Sequence, residues 1–174
     1  MIAADAFWIV FRFIHIVSAI LWAGSAFAVF TFVEPTVSAM GPDGGKFMGY
    51  MVEKRKMPAI ITSLSGLTVL GGIVLYLRAS DGFDTDWVSS GPGIGFTIGA
   101  LAGIAAFTIG LTMIRPTVQR MQAIGAQVGA SGGPPTPEQG AEMGRLLERM
   151  KSLGRTDFVL ILIAASTMAT ARYW

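Results

Sequence analysis

The chain has 174 residues, of which 52% are hydrophobic and only 14% are charged, and its formal net charge is +2. A soluble domain of this length carries about a quarter charged residues, so this composition excludes an ordinary water-covered surface and indicates that lipid is part of the solvent. The small net charge does not indicate nucleic-acid binding, and the absence of cysteine excludes disulfides and thiolate-ligated metal sites.

Four apolar runs predict four transmembrane helices, at about 6–33, 58–77, 93–114 and 155–172. The first run is interrupted only by Arg12 and His15. No basic segment of the signal-peptide type precedes it, so we expect it to be retained as a membrane span. The last run is short and closes with Arg172, Tyr173 and Trp174, residue types that favour the headgroup region.

An amphipathic helix is predicted ahead of the last span. Thr136, Pro137 and Gln139 form a capping-box pattern, and apolar side chains then recur at helical spacing as far as Lys151. We expect this helix to run into the last span or to kink near Gly154. The preceding segment, 125–135, is rich in Gly, Ala and Pro and is predicted to be an exposed loop.

The basic residues predict the orientation. Ten of the thirteen Lys and Arg residues lie in the first and third predicted loops, which the positive-inside rule places in the cytoplasm. Both termini are therefore predicted to lie outside a bacterial-type cytoplasmic membrane, and the amphipathic helix inside.

The sequence contains a weak internal repeat. Span one ends in Val33-Glu34-Pro35-Thr36-Val37 and span three in Ile114-Arg115-Pro116-Thr117-Val118. Each is followed by a Gly/Pro-containing stretch and then a Met-containing basic segment. We therefore predict one all-α domain, a membrane four-helix bundle built from two tandem helical hairpins, with repeat halves of about 1–78 and 79–174.

The candidate site lies in span one, where Arg12, His15 and Trp22 share one helix face. His15 is the only histidine, and ionisable groups inside a span are functional candidates because burying them is costly. One interpretation makes His15 an axial ligand to the iron of haem b, with Arg12 meeting a propionate. The alternative has His15 hydrogen-bonded to a hydroxyl or carbonyl and Arg12 extending to headgroups.

A sixth haem ligand cannot be a second histidine of this chain. Met168 in span four lies at a comparable depth and is the first candidate; Tyr76 is a weaker one. An open position or a histidine from another protomer are the remaining possibilities. A single Met in an apolar helix more often only packs.

Two further patterns have both a structural and a functional interpretation. Gly95, Gly99 and Gly103 recur every four residues, which suits close helix packing or a flat cofactor against the backbone. The basic residues Lys54 and Arg55 precede span two, where such clusters usually enforce topology and touch anionic lipid.

The stretch from Phe13 to Gly24, with His15 about two turns before Trp22, resembles the first-span signature of copper-resistance protein D and the HemJ-type protoporphyrinogen oxidases. The stretch from Lys54 to Ile61 is similar to a HemJ-type basic pair before Pro-Ala, whereas the chain's end, from Arg155, is closer to an uncharacterised sister group. This resemblance implies haem b, His15 as the family histidine, Lys54 or Arg55 as its basic pair, and porphyrinogen oxidation.

The leading hypothesis is thus a small haem-b-binding membrane protein acting in electron transfer or porphyrin oxidation, with the bilayer and a porphyrin as partners. One alternative is a non-catalytic subunit that packs into a homo-oligomer or a larger membrane complex through its glycine stripe. Another is a small-solute or metal permease, for which the spans offer only scattered Ser, Thr and Met.

Overall fold

A computed structural model describes residues 2–174, with side chains described for 6–41 and 43–174. The described residues form eight α-helices and no strand. The helices are α1 Ile2–Ala28, α2 Glu34–Ala39, α3 Pro42–Glu53, α4 Met57–Ala79, α5 Thr85–Ser89, α6 Gly91–Ile109, α7 Arg115–Ser131 and α8 Pro137–Thr170.

Four helical segments are long and apolar enough to cross a bilayer, as the sequence predicts: Ala6–Ala39, Met57–Ala79, Gly91–Ser131 and Pro137–Tyr173. Their outward faces are apolar. Ile9, Phe13 and Leu70, for example, are 68%, 66% and 65% exposed. Since water-facing surfaces of soluble proteins rarely carry such continuous apolar area, lipid is the solvent that suits these faces.

Two π-helical turns interrupt the first and third of these segments, at Val29–Val33 and Gly110–Ile114. In each, the amide of the following residue, Glu34 or Arg115, donates to a carbonyl five residues back. The next residue is Pro35 or Pro116, whose ring clashes with the carbonyl four residues back in a regular α-helix. The wider turn relieves that clash, and it occurs at equivalent positions of the two repeat motifs.

The helices pack most extensively in two pairs, α1 with α4 and α6 with α8. A small core of Trp22, Ala106 and Ile161 joins α1, α6 and α8. The hydroxyls of Tyr76 and Thr97, 2.6 Å apart, join α4 to α6. These contacts bring the four long helices together as one bundle. We call the end that holds α2, α3 and α7 the basic end, and the other the terminal end.

The prediction of an exposed loop over 125–135 is wrong for most of that segment. Helix α7 continues to Ser131, and only residues 132–136 connect it to α8. Ile124 of α7 is 2% exposed, and Arg120 forms a bidentate ion pair with Glu142 of α8 at 2.7 and 3.0 Å. Packing against α8 therefore holds a Gly- and Ala-rich stretch helical until Gly132 ends the helix with a positive φ of 65°.

The predicted capping box at the start of α8 is confirmed. Thr136 accepts a hydrogen bond from the Gln139 amide, and the Gln139 side chain accepts one from the Thr136 amide. From there the helix runs without a break past Gly154 to Thr170. Of the two expected arrangements, the amphipathic helix therefore runs directly into the last span.

Candidate functional site

His15 lies on α1 where that helix packs against α4, and its ring is half-buried. The Nδ1 atom is 2.7 Å from the backbone carbonyl oxygen of Thr68. Because a carbonyl can only accept, Nδ1 carries a proton, and the neutral form of the ring would then hold its lone pair on Nε2. The hydrogen bond expected by the packing interpretation is thus present, and it leaves Nε2 unused.

Two glycines of α4 make room for this histidine. A Cβ atom at Gly71 would lie 3.3 Å from Cβ of His15, and one at Gly72 would lie 2.9 Å from Cε1 of its ring. Any side chain at position 72 would therefore meet the imidazole. The Gly71-Gly72 pair allows α1 and α4 to approach closely enough for the ring to reach a backbone carbonyl of its neighbour.

A short row of hydroxyls continues from the histidine. Thr68 donates from Oγ1 to Oγ of Ser18 at 2.9 Å, and Ser18 donates to the carbonyl of Ile14 at 2.6 Å. Ser18 and Thr68 are 4% and 7% exposed. Sequence reasoning missed both residues. Ser18 follows His15 by one turn and was detectable from helical spacing, whereas Thr68 is set by the pairing of α1 with α4.

Arg12 lies one turn closer to the terminal end and is exposed. Its guanidinium carbon is 5.5 Å from the ring centroid of Trp8. Arg78, at the end of α4, lies 5.8 Å from the same ring and 4.8 Å from that of Phe7. Neither arginine forms an ion pair with any side chain that the structure describes. Two guanidiniums therefore lie beside the Trp8 ring, toward the terminal end from His15, and sequence reasoning did not identify Arg78.

The structure does not gather the other predicted site residues around His15. Trp22 is 6% exposed and belongs to the core with Ala106 and Ile161. Met168 lies at the α6–α8 interface, where the Cβ of an alanine at Gly99 would be 2.6 Å from its Cγ. The Tyr76 hydroxyl is hydrogen-bonded to the Thr97 hydroxyl. The two candidate axial ligands, His15 and Met168, thus lie at different helix interfaces.

Lys54 and Arg55 lie at the basic end, just before α4 begins at Met57. Arg55 packs over Tyr50 of α3, with its guanidinium carbon 5.8 Å from the ring centroid. Thirteen residues separate Arg55 from Thr68, which corresponds to about 20 Å along a helix. The basic pair and the histidine therefore belong to different levels of the bundle.

The glycine stripe of α6 is occupied within the chain. A Cβ at Gly95 would meet Ala171, one at Gly99 would meet Met168 and Thr167, and one at Gly103 would lie 3.9 Å from Ala164. All of these partners lie in α8 or the turn that follows it. The packing interpretation of the stripe is therefore the one that the structure shows, and the stripe is not available for a partner protein.

Within the residues that the structure describes, no three His, Asp or Glu side chains come together as metal ligands. A haem needs only one protein ligand, so this does not bear on the haem hypothesis. No protein-family model, curated protein or solved structure matches the chain, and the resemblance of its first two spans to the copper-resistance protein D and HemJ-type group stays a prediction.

Proposed function

We propose that this chain is a small multi-pass membrane protein that binds one haem b through Nε2 of His15 and acts in electron transfer or porphyrin chemistry. One observation carries the proposal: the hydrogen bond of 2.7 Å from Nδ1 to the Thr68 carbonyl. Metal-ligating histidines commonly donate their second ring N–H to such an oxygen, which fixes the tautomer and orients the ring. His15 is held in that way inside a span.

The surrounding side chains fit a haem in two respects. The guanidiniums of Arg12 and Arg78 lie toward the terminal end from His15, where the propionates of a haem would meet water and positive charge. The residues on the lipid side of α1 are apolar, as with Phe13 and Ile16, which are 66% and 52% exposed. When bound, haem would supply an iron that cycles between the ferric and ferrous states.

Met168 does not support a six-coordinate site in one chain, since it packs at the α6–α8 interface. We therefore propose His15 as the only residue of this chain that would bind the haem iron. In the enzymatic form of the proposal, which rests on the resemblance, the electrons lost by a porphyrinogen would pass through the bound haem to an external acceptor of the quinone class, and its protons would pass to water.

An absorption spectrum tests the proposal. Protein purified in mild detergent should show a Soret band and a reduced-minus-oxidised α band, with about one haem per chain by the pyridine haemochrome assay. His15→Gly should lose the bands, and added imidazole should restore them, because free imidazole replaces the ligand without rebuilding the helix contact. A colourless parent protein supplied with haemin during expression would refute the proposal.

Met168→Leu is the matched control, because it changes a sulfur to carbon at nearly constant volume. Its spectrum should equal that of the parent protein. A change of spin state in Met168→Leu would instead identify Met168 as a ligand and contradict the arrangement proposed here. Substitution of Arg12 and Arg78 by Gln should weaken haem retention while the band positions stay unchanged.

We also propose the topology that the basic residues predict, with two tandem hairpins and the basic end in the cytoplasm. Both π-turns lie just before the repeated Pro-Thr-Val motif, which supports the repeat. The chain has no cysteine, so single introduced cysteines report unambiguously. Tyr173→Cys should react with an impermeant maleimide added to intact cells, and Lys46→Cys should react only after lysis. The opposite pattern would overturn the orientation.

A non-catalytic packing subunit is the second candidate function, favoured by the satisfied Nδ1 atom of His15 and the close fit of the ring against Gly72. In that case the protein is colourless and His15→Ala lowers only its stability. Because α8 covers the glycine stripe, such a subunit would contact its partner through another face. The spectrum separates the two candidates.

A further inference from the structure

A partly open cavity with both polar and apolar lining residues lies at the basic end of the bundle, between the start of α4 and the start of α7. Its volume is about 440 Å³, which falls in the range of small-ligand sites. It is lined by Val52, Lys56, Pro58, Ala59, Thr62, Ser63, Arg115, Val118, Gln119 and Gln122. It lies in neither the His15 region nor the packing core.

The charges in this cavity have one sign. Lys56 and Arg115 supply two cations from opposite walls, and none of the lining residues is acidic. Neither cation forms an ion pair with a side chain that the structure describes. The lining also includes residues with neutral hydrogen-bond donors, namely Gln119, Gln122, Thr62 and Ser63, beside four apolar residues. Such a set matches a phosphate group, which has several acceptor oxygens and negative charge.

The position of the cavity indicates where the phosphate comes from. Its walls are the first turns of α4, where the second span begins, and the first turns of α7, which follow the apolar part of the third span. We infer that this is the level of the lipid headgroups. Beside it, on another face of the same turns of α4, lies an apolar groove of about 290 Å³. Val29, Val33, Ile60 and Ile61 line this groove, with Arg55 among its residues. A lipid offers both a phosphate and acyl chains, whereas a soluble anion offers only the first.

We propose that the cavity between Lys56 and Arg115 binds the phosphate of an anionic phospholipid at the basic end of the bundle. Basic pockets between transmembrane helices are suited to such headgroups, because low-dielectric walls strengthen the attraction. The bound lipid bridges α4 of the first repeat half to α7 of the second. It thereby stabilises the two halves against each other, independently of any haem.

The test is thermal unfolding of the delipidated full chain in neutral detergent, with three additives: phosphatidylglycerol, phosphatidylcholine, or inorganic phosphate at the same concentration. The melting temperature should rise by several degrees with phosphatidylglycerol and stay unchanged with the other two. An equal rise with phosphatidylcholine would show that any lipid suffices. An equal rise with inorganic phosphate would show a soluble-anion site. Either result overturns the proposal.

Variants localise the effect. Lys56→Gln with Arg115→Gln should abolish the rise caused by phosphatidylglycerol. The matched control, Arg145→Gln with Arg149→Gln, removes the same charge from exposed positions of α8 outside the cavity and should keep the rise in full. If both double variants lose it equally, the lipid responds only to net charge and the cavity is not the site. Native mass spectrometry of the same samples counts retained phosphatidylglycerol and gives a second readout should a variant fold poorly.

Discussion

Replacing Gly72 by alanine tests whether the α1–α4 interface is built around the His15 ring. The added methyl carbon would lie 2.9 Å from Cε1 and 3.1 Å from Nδ1 of the ring, well inside the separation of about 3.5–4.0 Å at which carbon atoms attract. The ring cannot move far without lengthening the bond of 2.7 Å to the Thr68 carbonyl. The substitution therefore strains the contact between the helices and also breaks that bond.

The expected cost follows from three contributions. Overpacking a close interface costs about 1–3 kcal/mol, and losing the hydrogen bond costs about 1 kcal/mol more. Alanine recovers about 1 kcal/mol relative to glycine through its higher helix propensity. The free energy of unfolding should therefore fall by about 1–3 kcal/mol. For a chain of this size the melting temperature should fall by roughly 2–12 °C.

The measurement is thermal unfolding in detergent, followed by tryptophan fluorescence. Gly66→Ala is the control on the same helix, because its new methyl would lie 4.0 Å from the nearest side-chain atom, in Phe107; its melting temperature should be unchanged or slightly higher. Gly72→Ala should also become harmless in a His15→Ala background, where the ring is gone. Gly71→Ala should stay destabilising in that background, because its methyl would lie 3.3 and 3.5 Å from Cβ and Cα of residue 15, which alanine also has. The reasoning is refuted if Gly72→Ala and Gly66→Ala have the same melting temperature, or if Gly72→Ala still lowers the melting temperature in the His15→Ala background.

Three other predictions concern separate parts of the bundle. Gly95→Ala should lower the melting temperature by several degrees, because its methyl would lie 2.9 Å from Cβ and 3.0 Å from Cα of Ala171. Gly103→Ala should not lower it, because its methyl would lie 3.9 Å from Ala164. Equal melting temperatures of the two variants would contradict the packing of α6 on α8. Arg120→Ala removes both bonds to Glu142 and should speed amide hydrogen exchange in 121–136 but not in α4, and unchanged exchange would show that the ion pair does not hold α7. At the exposed Asp43–Lys46 pair, the hydrogen bond and charge of Lys46 lower the pKa of Asp43 from 3.8, and the same bond raises the pKa of Lys46 from 10.5. The stability due to the Asp43 carboxylate is present above its unfolded pKa and is lost as pH falls through its folded pKa. The stability due to the Lys46 amine is lost only as pH rises through the folded pKa of that amine. The difference in melting temperature between the parent and Asp43→Asn should therefore stay constant from about pH 5 to pH 9 and disappear in acid.

Local sequence signals predicted the parts of the fold that depend on local physics. The four spans follow from the positions of the long apolar runs, and the start of α8 follows from the capping residues Thr136 and Gln139. The end of α7 could not be predicted from such local signals. The glycines of this stretch lower its intrinsic helix propensity. The burial of Ile124 that accompanies the helix depends on α8, which begins later in the chain.

The candidate site likewise combines residues that local sequence signals identify with partners that only the pairing of helices brings together. His15 and Arg12 stood out because ionisable residues are rare inside spans. Their partners are set by the pairing of α1 with α4: the Thr68 carbonyl accepts the hydrogen bond from the ring, Gly72 makes space for it, and Arg78 adds a second guanidinium. A carbonyl belongs to every residue, so no side-chain pattern identifies which one a histidine will meet. The register of two helices is needed first.

Under the proposed repeat, that register also accounts for a candidate site in the first half only. Aligning Pro35 with Pro116 places His15 opposite Phe96 and Ser18 opposite Gly99. In the first half the polar ring lies on α1 and the glycines that receive it lie on α4. In the second half the glycines lie on α6 and receive the α8 side chain Met168 and, beyond that helix, Ala171. Both helix pairs achieve close packing through glycine, but with the roles of the two helices exchanged. Because His15 is the only histidine of the chain, the proposed haem ligand lies at the α1–α4 interface and has no counterpart between α6 and α8.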